Sequence, residues 1–183
     1  IFGDMKTWNR SIPADLVNIL YAREEYAPSV TVFDIMYISD MDSENDLRFA
    51  KSCQKAGSVI TAVNTVYETE VTKQGETLVI DEGHIGMVEY PYDALREVSA
   101  YGYANTIQDK DGYIRFATTQ VEYQGEIIEA LAVKAYKMYC EKQGITPVMQ
   151  TTFEKNKFRF TYSGKSGSYE ILSLADEIKK KIA

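Results

Sequence analysis

The chain has 183 residues and a mass of 20.8 kDa, the size of one ordinary domain, and it can bury a core without a structural metal or a disulfide. Its formal net charge of −7 and pI near 4.9 argue against nucleic acid and acidic membrane surfaces as partners, because both present phosphate groups. A hydrophobic share of 45% excludes a disordered chain, and no apolar run has the roughly 18 residues needed to span a bilayer.

The chain begins with a predicted helix and a predicted strand. Pro13 lies in the first turn of the helix, over 11–26, where its missing N–H costs no hydrogen bond. Residues 30–37 are β-branched and aromatic, and they are apolar on both sides of the pleat except at Asp34. A strand of this composition is normally covered by helices on both faces, so we expect 30–37 to be the central strand of the sheet.

Shorter elements follow along the rest of the chain. Ser43 and Asp46 are predicted to form the capping box of the next helix. In chain order, the pattern predicts a helix over 43–56, a strand over 58–66, a hairpin or long loop over 67–80, a helix over 92–100, a strand over 103–106, a turn over 109–112, a strand over 113–123, the longest helix over 126–143, two strands over 157–162 and 169–172, and a last helix from 173. This order predicts one α/β domain over 1–183. We expect a mixed, mainly parallel central sheet flanked by helices on both faces, with a β-hairpin excursion.

No catalytic or metal-binding motif has the spacing that its chemistry requires. Gly164-Lys165-Ser166 resembles the end of a phosphate-binding loop, but the first glycine of that motif falls on Arg159. The acidic run over 40–46 resembles a calcium loop, but the position of its last acidic ligand is Lys51. His84 is the only histidine, and the sequence places no nucleophile beside it. We therefore predict no catalytic residue, no metal and no cofactor.

The two cysteines, Cys53 and Cys140, both lie inside predicted helices. Cysteine is among the residues most often buried, so we expect two buried thiols. A disulfide between them stays an alternative in an oxidising compartment, because sequence alone does not give the distance between their Cα atoms.

Three segments occur in an order that is typical of one family. The first runs from Trp8-Asn9-Arg10-Ser11 into the strand that contains Phe33-Asp34-Ile35. The second is Gly102-Tyr103-Ala104-Asn105 followed by 109–115, and the third is 158–164 followed by Tyr169, Ile171 and Ser173. In this order the segments resemble the type-2 CHASE domain, over about residues 8–178. In that family a tryptophan–arginine helix start precedes an FDI-like strand, and a G-x-x-N…D-x-D-G-x-x-R hairpin follows.

The resemblance implies a domain that senses a ligand outside the cytoplasm, in the periplasm or the extracellular space. It implies a parent receptor anchored in a bacterial cell membrane, with a cytoplasmic output such as a nucleotide cyclase, for example an adenylate cyclase, a histidine kinase or a Ser/Thr kinase. The domain itself is expected not to be an enzyme. The sequence starts at Ile1 rather than methionine, so we expect a segment of a longer protein.

The polar positions within the family pattern are the candidate ligand-binding residues, for an unknown small molecule: Trp8, Arg10, Asp34, Asn105, Asp111 and Arg115. For four residues of these segments, a structural role is the alternative to ligand binding. Asp111 and Gly112 are typical turn formers. Arg115 and Asp34 are alternatively a buried pair that fixes the geometry of the sheet, because an unpaired buried charge is costly.

Two other functions stay open at this point. A cytosolic α/β enzyme would place its chemistry near Asp34, at the carboxyl end of the 30–37 strand, where open sheets bind ligands. A non-catalytic interaction module, including a homodimer, is suggested by the 14 tyrosines and by the hairpin over 67–80.

Overall fold

The structure is a computed structural model, and it describes residues 8–74, 77–106, 111–149, 157–161, 164–165 and 167–174, with only the backbone described over 69–74, over 77–83 and at 157. The fold is α/β with mixed sheets. The helices are α1 (Ser11–Leu20), α2 (Ser43–Ala56), α3 (Asp93–Arg96) and α4 (Leu131–Gln143). The strands are β1 (Thr31–Phe33), β2 (Val59–Gln74), β3 (Thr77–Glu89), β4 (Ala100–Tyr103), β5 (Phe116–Thr118), β6 (Gln120–Tyr123), β7 (Glu126–Glu129) and β8 (Lys157–Arg159).

The long strand β2 belongs to two ladders in succession. Its first residues lie between β1 and β4, and both of these strands run parallel to it. From Asn64 onward, β2 pairs antiparallel with β3, where Asn64 lies opposite Glu89. Two further antiparallel pairs, β5 with β8 and β6 with β7, complete the strand pairing of the described residues. The predicted mixed sheet and β-hairpin are confirmed, but most of the pairing is antiparallel, so the sheet is not mainly parallel.

The prediction that 30–37 is the central strand is wrong. Strand β1 has only three residues, and in the described part of the chain it pairs with β2 alone. Val32 is 41% exposed and Asp34 is exposed, so the apolar pattern of this segment does not reflect cover on both faces. That environment belongs to residues 59–63 of β2, which are all buried because the strand has a neighbour on each edge and side chains packed on each face.

Alternation at the start of β2 places Val59 and Ile60 in different hydrophobic clusters. Val59 packs with residues of α1, α2 and α3, among them the fully buried Phe49 of α2. Ile60 and Ala62 pack instead with Leu131, the first residue of α4. Successive strand residues point to opposite faces, so α1 and α2 pack on one side of this part of β2 and α4 packs on the other.

Helix α2 follows the prediction closely, apart from its cap. Asp42 is the N-cap, and its side chain accepts a hydrogen bond from the backbone N–H of Glu44 (3.1 Å). Gly57 ends the helix in the left-handed region at φ +67°, as its position in the sequence indicates. The predicted capping box of Ser43 and Asp46 is wrong, because the Asp46 carboxylate bonds to other parts of the fold.

The start of the predicted 126–143 helix is wrong. Gln124 and Gly125 both have positive φ (51° and 83°), which gives the tight hairpin turn that fits the twist of two antiparallel strands. Glu126 therefore pairs with Tyr123 in the ladder of β6 and β7, and α4 begins only at Leu131.

Gly102 lies inside β4, where it faces the start of α4. A Cβ atom at this position would lie 2.7 Å from the Cα atom of Leu131, so only glycine lets the start of α4 approach β4 this closely.

The remaining predicted elements are shorter than expected or lie elsewhere. The predicted 11–26 helix ends at Leu20, and the predicted 92–100 helix is reduced to α3, which has one turn. Strand β4 begins three residues before the predicted 103–106 strand, and the predicted 113–123 strand is divided into β5 and β6. Of the predicted 157–162 strand, only 157–159 forms β8. Residues 169–172 form no strand. The last predicted helix lies outside the described residues from 175 onward, and the first two residues of the 109–112 turn also lie outside them. Cys53 and Cys140 are buried free thiols, as predicted.

Candidate functional site

A cavity of about 530 Å³ lies at the carboxyl end of β1. Its walls come from the start of α1 and from residues 34–41, which follow β1. In sheets with parallel strands, ligands typically bind beyond the carboxyl ends of the strands, and this volume suits a small molecule. Three of the six predicted site residues line the cavity: Trp8, Arg10 and Asp34.

Arg10 forms the inner wall of the cavity, and it is only 7% exposed. Its Nε donates a hydrogen bond to Oδ1 of Asp46 (3.3 Å), and its Nη2 donates to the carbonyl oxygen of Ser39 (2.8 Å). The guanidinium carbon also lies 4.6 Å from the ring centroid of Tyr37 and 5.3 Å from that of Tyr92. The guanidinium is therefore paired in charge by a carboxylate and covered by two aromatic rings.

Asp46 organises the loop that borders the cavity. It is 2% exposed, and its Oδ2 accepts hydrogen bonds from the backbone N–H groups of Met41 (2.8 Å) and Asp42 (3.1 Å). A buried charge needs both a counter-charge and hydrogen bonds, and Asp46 has each of them. The acidic run over 40–46 signals a helix start, but it does not indicate that Asp46 is the partner of an arginine 36 residues away.

The two tyrosines beside Arg10 remain neutral phenols. Burial raises the pKa of Tyr37, and the Arg10 guanidinium opposes that effect only in part. Burial also raises the pKa of Tyr92, and the nearby Asp46 carboxylate raises it further. The Tyr92 hydroxyl donates a hydrogen bond to the backbone oxygen of Asp46 (2.9 Å), which ties α3 to the start of α2. Sequence reasoning assigned Asp46 to a helix cap and did not place Tyr92 or Asp46 in the site, because neither lies within a motif of the family pattern.

Asp34 differs from Arg10 in its surroundings. It lies one residue beyond β1, it is exposed, and it forms no hydrogen bond or ion pair with any other described residue. The predicted buried pair of Asp34 with Arg115 is therefore wrong.

Asn105 lies outside the cavity and extends the ladder between β2 and β4. Its Oδ1 accepts a hydrogen bond from the backbone N–H of Thr65 (2.8 Å), and its Nδ2 donates to the Thr65 carbonyl (2.9 Å) and to Oδ1 of Asn64 (3.0 Å). The side-chain amide thus takes the place of a backbone peptide, two residues after the pairing of Val63 with Tyr103. Asn105 fixes the point at which β2 leaves β4 and continues beside β3.

Asp111 and Arg115 form an exposed ion pair on a turn. Arg115 Nη1 donates a hydrogen bond to Oδ1 of Asp111 (2.8 Å), and the backbone N–H of Tyr113 donates to the same oxygen (3.2 Å). Gly112 has φ +81°, so the prediction that Asp111 and Gly112 are turn formers is confirmed. The structure does not bring this pair into the cavity.

A second polar cluster holds the β6–β7 hairpin against the sheet. Glu126 accepts hydrogen bonds from the hydroxyls of Tyr101 (2.6 Å) and Tyr90 (2.8 Å), and the guanidinium of Arg96 lies 3.8 Å from the ring centroid of Tyr90. The bond from Tyr101, with smaller contributions from Tyr90 and Arg96, lowers the pKa of Glu126 below its ordinary value. Its partners are all within the fold, so this cluster is a structural contact.

The model of the CHASE2 domain matches residues 4–182, which is nearly the whole chain. The chain belongs to the CHASE2 family. This is the type-2 CHASE domain, so the resemblance found in the sequence is confirmed. No curated protein and no solved structure shows a significant match to the chain.

CHASE2 domains are sensor domains of signalling proteins, and they generally lie outside the cytoplasm. Two further observations apply to the described part of this CHASE2 domain. None of its helices combines the length and the apolar character of a membrane-spanning helix. It also contains no group of three or more histidine, cysteine or acidic residues that could hold a metal ion.

We expect Arg10→Met to lower the free energy of unfolding by about 3–5 kcal/mol, because it leaves Asp46 buried without its counter-charge. Urea unfolding measures this loss, and Arg48→Met is the matched control. Arg48 pairs with Asp15 on the surface, where both side chains are nearly half exposed, so its loss should cost less than about 1 kcal/mol. In a double-mutant cycle, Arg10→Met combined with Asp46→Asn should cost less than the sum of the two single changes. Equal costs for Arg10→Met and Arg48→Met would contradict the role of the buried pair.

The lowered pKa of Glu126 predicts an acid-dependent contribution to stability. In the folded state this pKa lies below the ordinary value of 4.5, so the stabilisation is complete above that pH and is lost as pH falls through the folded-state pKa. Glu126→Gln should therefore be less stable than the unaltered protein at pH 7, and the difference should shrink toward pH 3. Urea unfolding across this range measures it. Glu122→Gln, an exposed change on the neighbouring strand, should have little effect at any pH, and a Glu126→Gln deficit that does not vary with pH would contradict the prediction.

Proposed function

We propose that this CHASE2 domain is the extracytoplasmic, ligand-sensing part of a bacterial transmembrane receptor. The ligand is a small molecule that binds in the cavity at the carboxyl end of β1. In this proposal the parent receptor carries a cytoplasmic output, either a nucleotide cyclase, a histidine kinase or a Ser/Thr kinase. The observation that carries the proposal is the cavity itself, which Trp8, Arg10 and Asp34 all line although Trp8 and Asp34 are 26 residues apart in the sequence.

The position of the cavity suits a signalling role. Its two walls, the start of α1 and the segment 34–41, are connected across the cavity by the bond from Arg10 to Ser39. A ligand that contacts both walls stabilises one arrangement of them over others. Signal transfer then requires only that the ligand has different affinities for the two arrangements, because that difference sets how far the population shifts.

A binding role is also favoured over catalysis by the domain itself. The cavity lining includes no histidine or cysteine among the described residues. His84, the only histidine of the chain, lies in β3 with its Nε2 3.6 Å from Glu68, and it lines a different depression of the surface. Among the described residues of the lining, Asp34 is the one carboxylate that could act as an acid or base, and no other described residue bonds to it to orient it.

Surface labelling of the full-length receptor in intact cells tests the location. Leu47 lies on α2 and is 50% exposed, so Leu47→Cys should react with a membrane-impermeant maleimide. The background from this domain should be low, because Cys53 and Cys140 are buried and burial raises the pKa of the Cys53 thiol to about 12. Ala50→Cys is the matched control on the same helix: this residue is 4% exposed, and it should react only after denaturation. Labelling of Leu47→Cys only in permeabilised cells would contradict an extracytoplasmic domain.

Filling the cavity in the full-length receptor tests the sensing role. Met36 lines the cavity and is 40% exposed, so Met36→Trp should occupy ligand space without disturbing the core. We expect the output activity of this variant to become insensitive to a change from rich to minimal growth medium. Leu47→Trp adds a similar side chain outside the cavity and should respond as the unaltered receptor does. A Met36→Trp receptor that responds normally would place the sensed ligand elsewhere.

A further inference from the structure

The charge balance of the cavity limits the ligand that it can take. Among the residues that the structure describes, its lining contains two charged ones, Arg10 and Asp34. The Arg10 charge is already balanced by Asp46, since the two side chains are 8% and 3% exposed and form an ion pair at 3.3 Å. Asp34 has no such partner among the described residues, so the lining and its paired carboxylate together carry one net negative charge.

Arg10 is poorly suited to bind an anion. Two of its nitrogen atoms donate to Asp46 and Ser39, and the rings of Tyr37 and Tyr92 lie within 5.3 Å of the guanidinium carbon. An anionic ligand would have to compete with the Asp46 carboxylate, which lies at a short distance inside the protein, where charges interact more strongly than in water. Loss of the Arg10–Asp46 pair would also leave a buried charge without its partner.

Two features of the cavity favour a cation. The first is Asp34, an exposed carboxylate on the lining with no ion pair in the described structure. The second is the indole of Trp8, since tryptophan has the aromatic face that attracts cations most strongly. The net charge of −7 on the chain acts in the same direction at longer range, because it raises the local concentration of cations.

The rest of the lining is mainly apolar. The apolar residues of its walls are Pro13, Ile35, Met36, Ile38 and Met41. Methionine side chains adapt their shape to an apolar partner, and Met36 and Met41 are 40% and 56% exposed. A small inorganic cation would leave this surface unused, whereas an apolar group attached to the cation would cover it.

From this balance we infer that the cavity binds an organic amine, in its ammonium form, that carries an apolar body. Asp34 and Trp8 hold the ammonium group, and the methionine and isoleucine side chains hold the apolar part. The inference rests on the proposed sensing function and adds the chemical class of the ligand. The cavity volume of about 530 Å³ limits the ligand to the size of ordinary small molecules.

Isothermal titration calorimetry on the protein with matched probes tests the ligand class. The first set is 2-phenylethylamine, 2-phenylethanol and 3-phenylpropionate, and the second set is hexylamine, hexanol and hexanoate. Within each set the apolar body is conserved and only the charge of the polar group changes. We expect an amine to bind about tenfold more tightly than its alcohol and the carboxylate to bind weakest, at about physiological salt.

Substitutions assign the binding to the cavity. Asp34→Asn removes the charge with little change in shape at an exposed position, and it should weaken amine binding about tenfold while leaving alcohol binding unchanged. Asp40→Asn is the matched control, since it removes the same charge from the same segment at an exposed position that does not line the cavity. Met36→Trp should abolish binding of every probe. Thermal unfolding of each variant checks that the fold is intact.

The outcomes separate the ligand class from the sensing function. Tighter binding of a carboxylate than of its amine, an unchanged amine affinity in Asp34→Asn, or no binding of either amine would each overturn the inference. The sensing function fails independently, if the Met36→Trp receptor still responds to growth medium. In one outcome, Met36→Trp makes the receptor insensitive to growth medium and also abolishes binding of a carboxylate. The sensing site would then be correct, and its ligand would carry the opposite charge.

Discussion

The buried pair of Arg10 and Asp46 joins three parts of the chain that have no backbone ladder in common. Arg10 is the N-cap residue of α1, Asp46 lies in the first turn of α2, and the carbonyl of Ser39 belongs to the segment between β1 and α2. Tyr37 and Tyr92 cover the guanidinium and bring α3 into the same contact. Each of these two buried charges is stabilised by the other. Movement of one segment alone would therefore leave an unpaired ion in the protein interior.

The cavity exists because this contact holds residues 34–41 in an irregular path. Strand β1 ends at Phe33, and the next backbone hydrogen bond that anchors the segment runs from the Tyr92 N–H to the Tyr37 carbonyl (2.8 Å). Between these points the chain passes in front of α1 and leaves space against Trp8 and Pro13. Aromatic packing also holds this segment in place. The rings of Tyr37, Phe33 and Phe49 meet edge to face at centroid distances of 5.1–5.9 Å. An open, partly apolar cavity that is bordered by closely packed aromatic rings is the arrangement expected of a preformed small-molecule site.

The polar residues of the family pattern divide into two kinds. Asn105, Asp111 and Arg115 bond to their own neighbourhood: the first completes a ladder, and the other two close a turn. Arg10 shares this structural character although it lines the cavity. Asp34 is the charged member of the pattern that remains, and it lines the cavity without an ion pair among the described residues.

The sequence alone determined the family, the α/β class, the body and C-terminal end of α2, the start of β2 and the hairpin that follows it. These features depend on local signals: helical periodicity, a glycine in the left-handed region at Gly57, and alternation about the tip of the hairpin. The tertiary structure decided which strand is central, because the apolar pattern of 30–37 and that of 59–63 look alike until each strand's neighbours are known. It also decided that Arg10 pairs with Asp46 while Asp34 stays exposed, since nothing in the local sequence indicates which of 27 acidic residues approaches a given arginine. Local patterns specify the conformation of a segment, whereas the partner of a charge or of a strand edge depends on packing between residues that are distant in the chain.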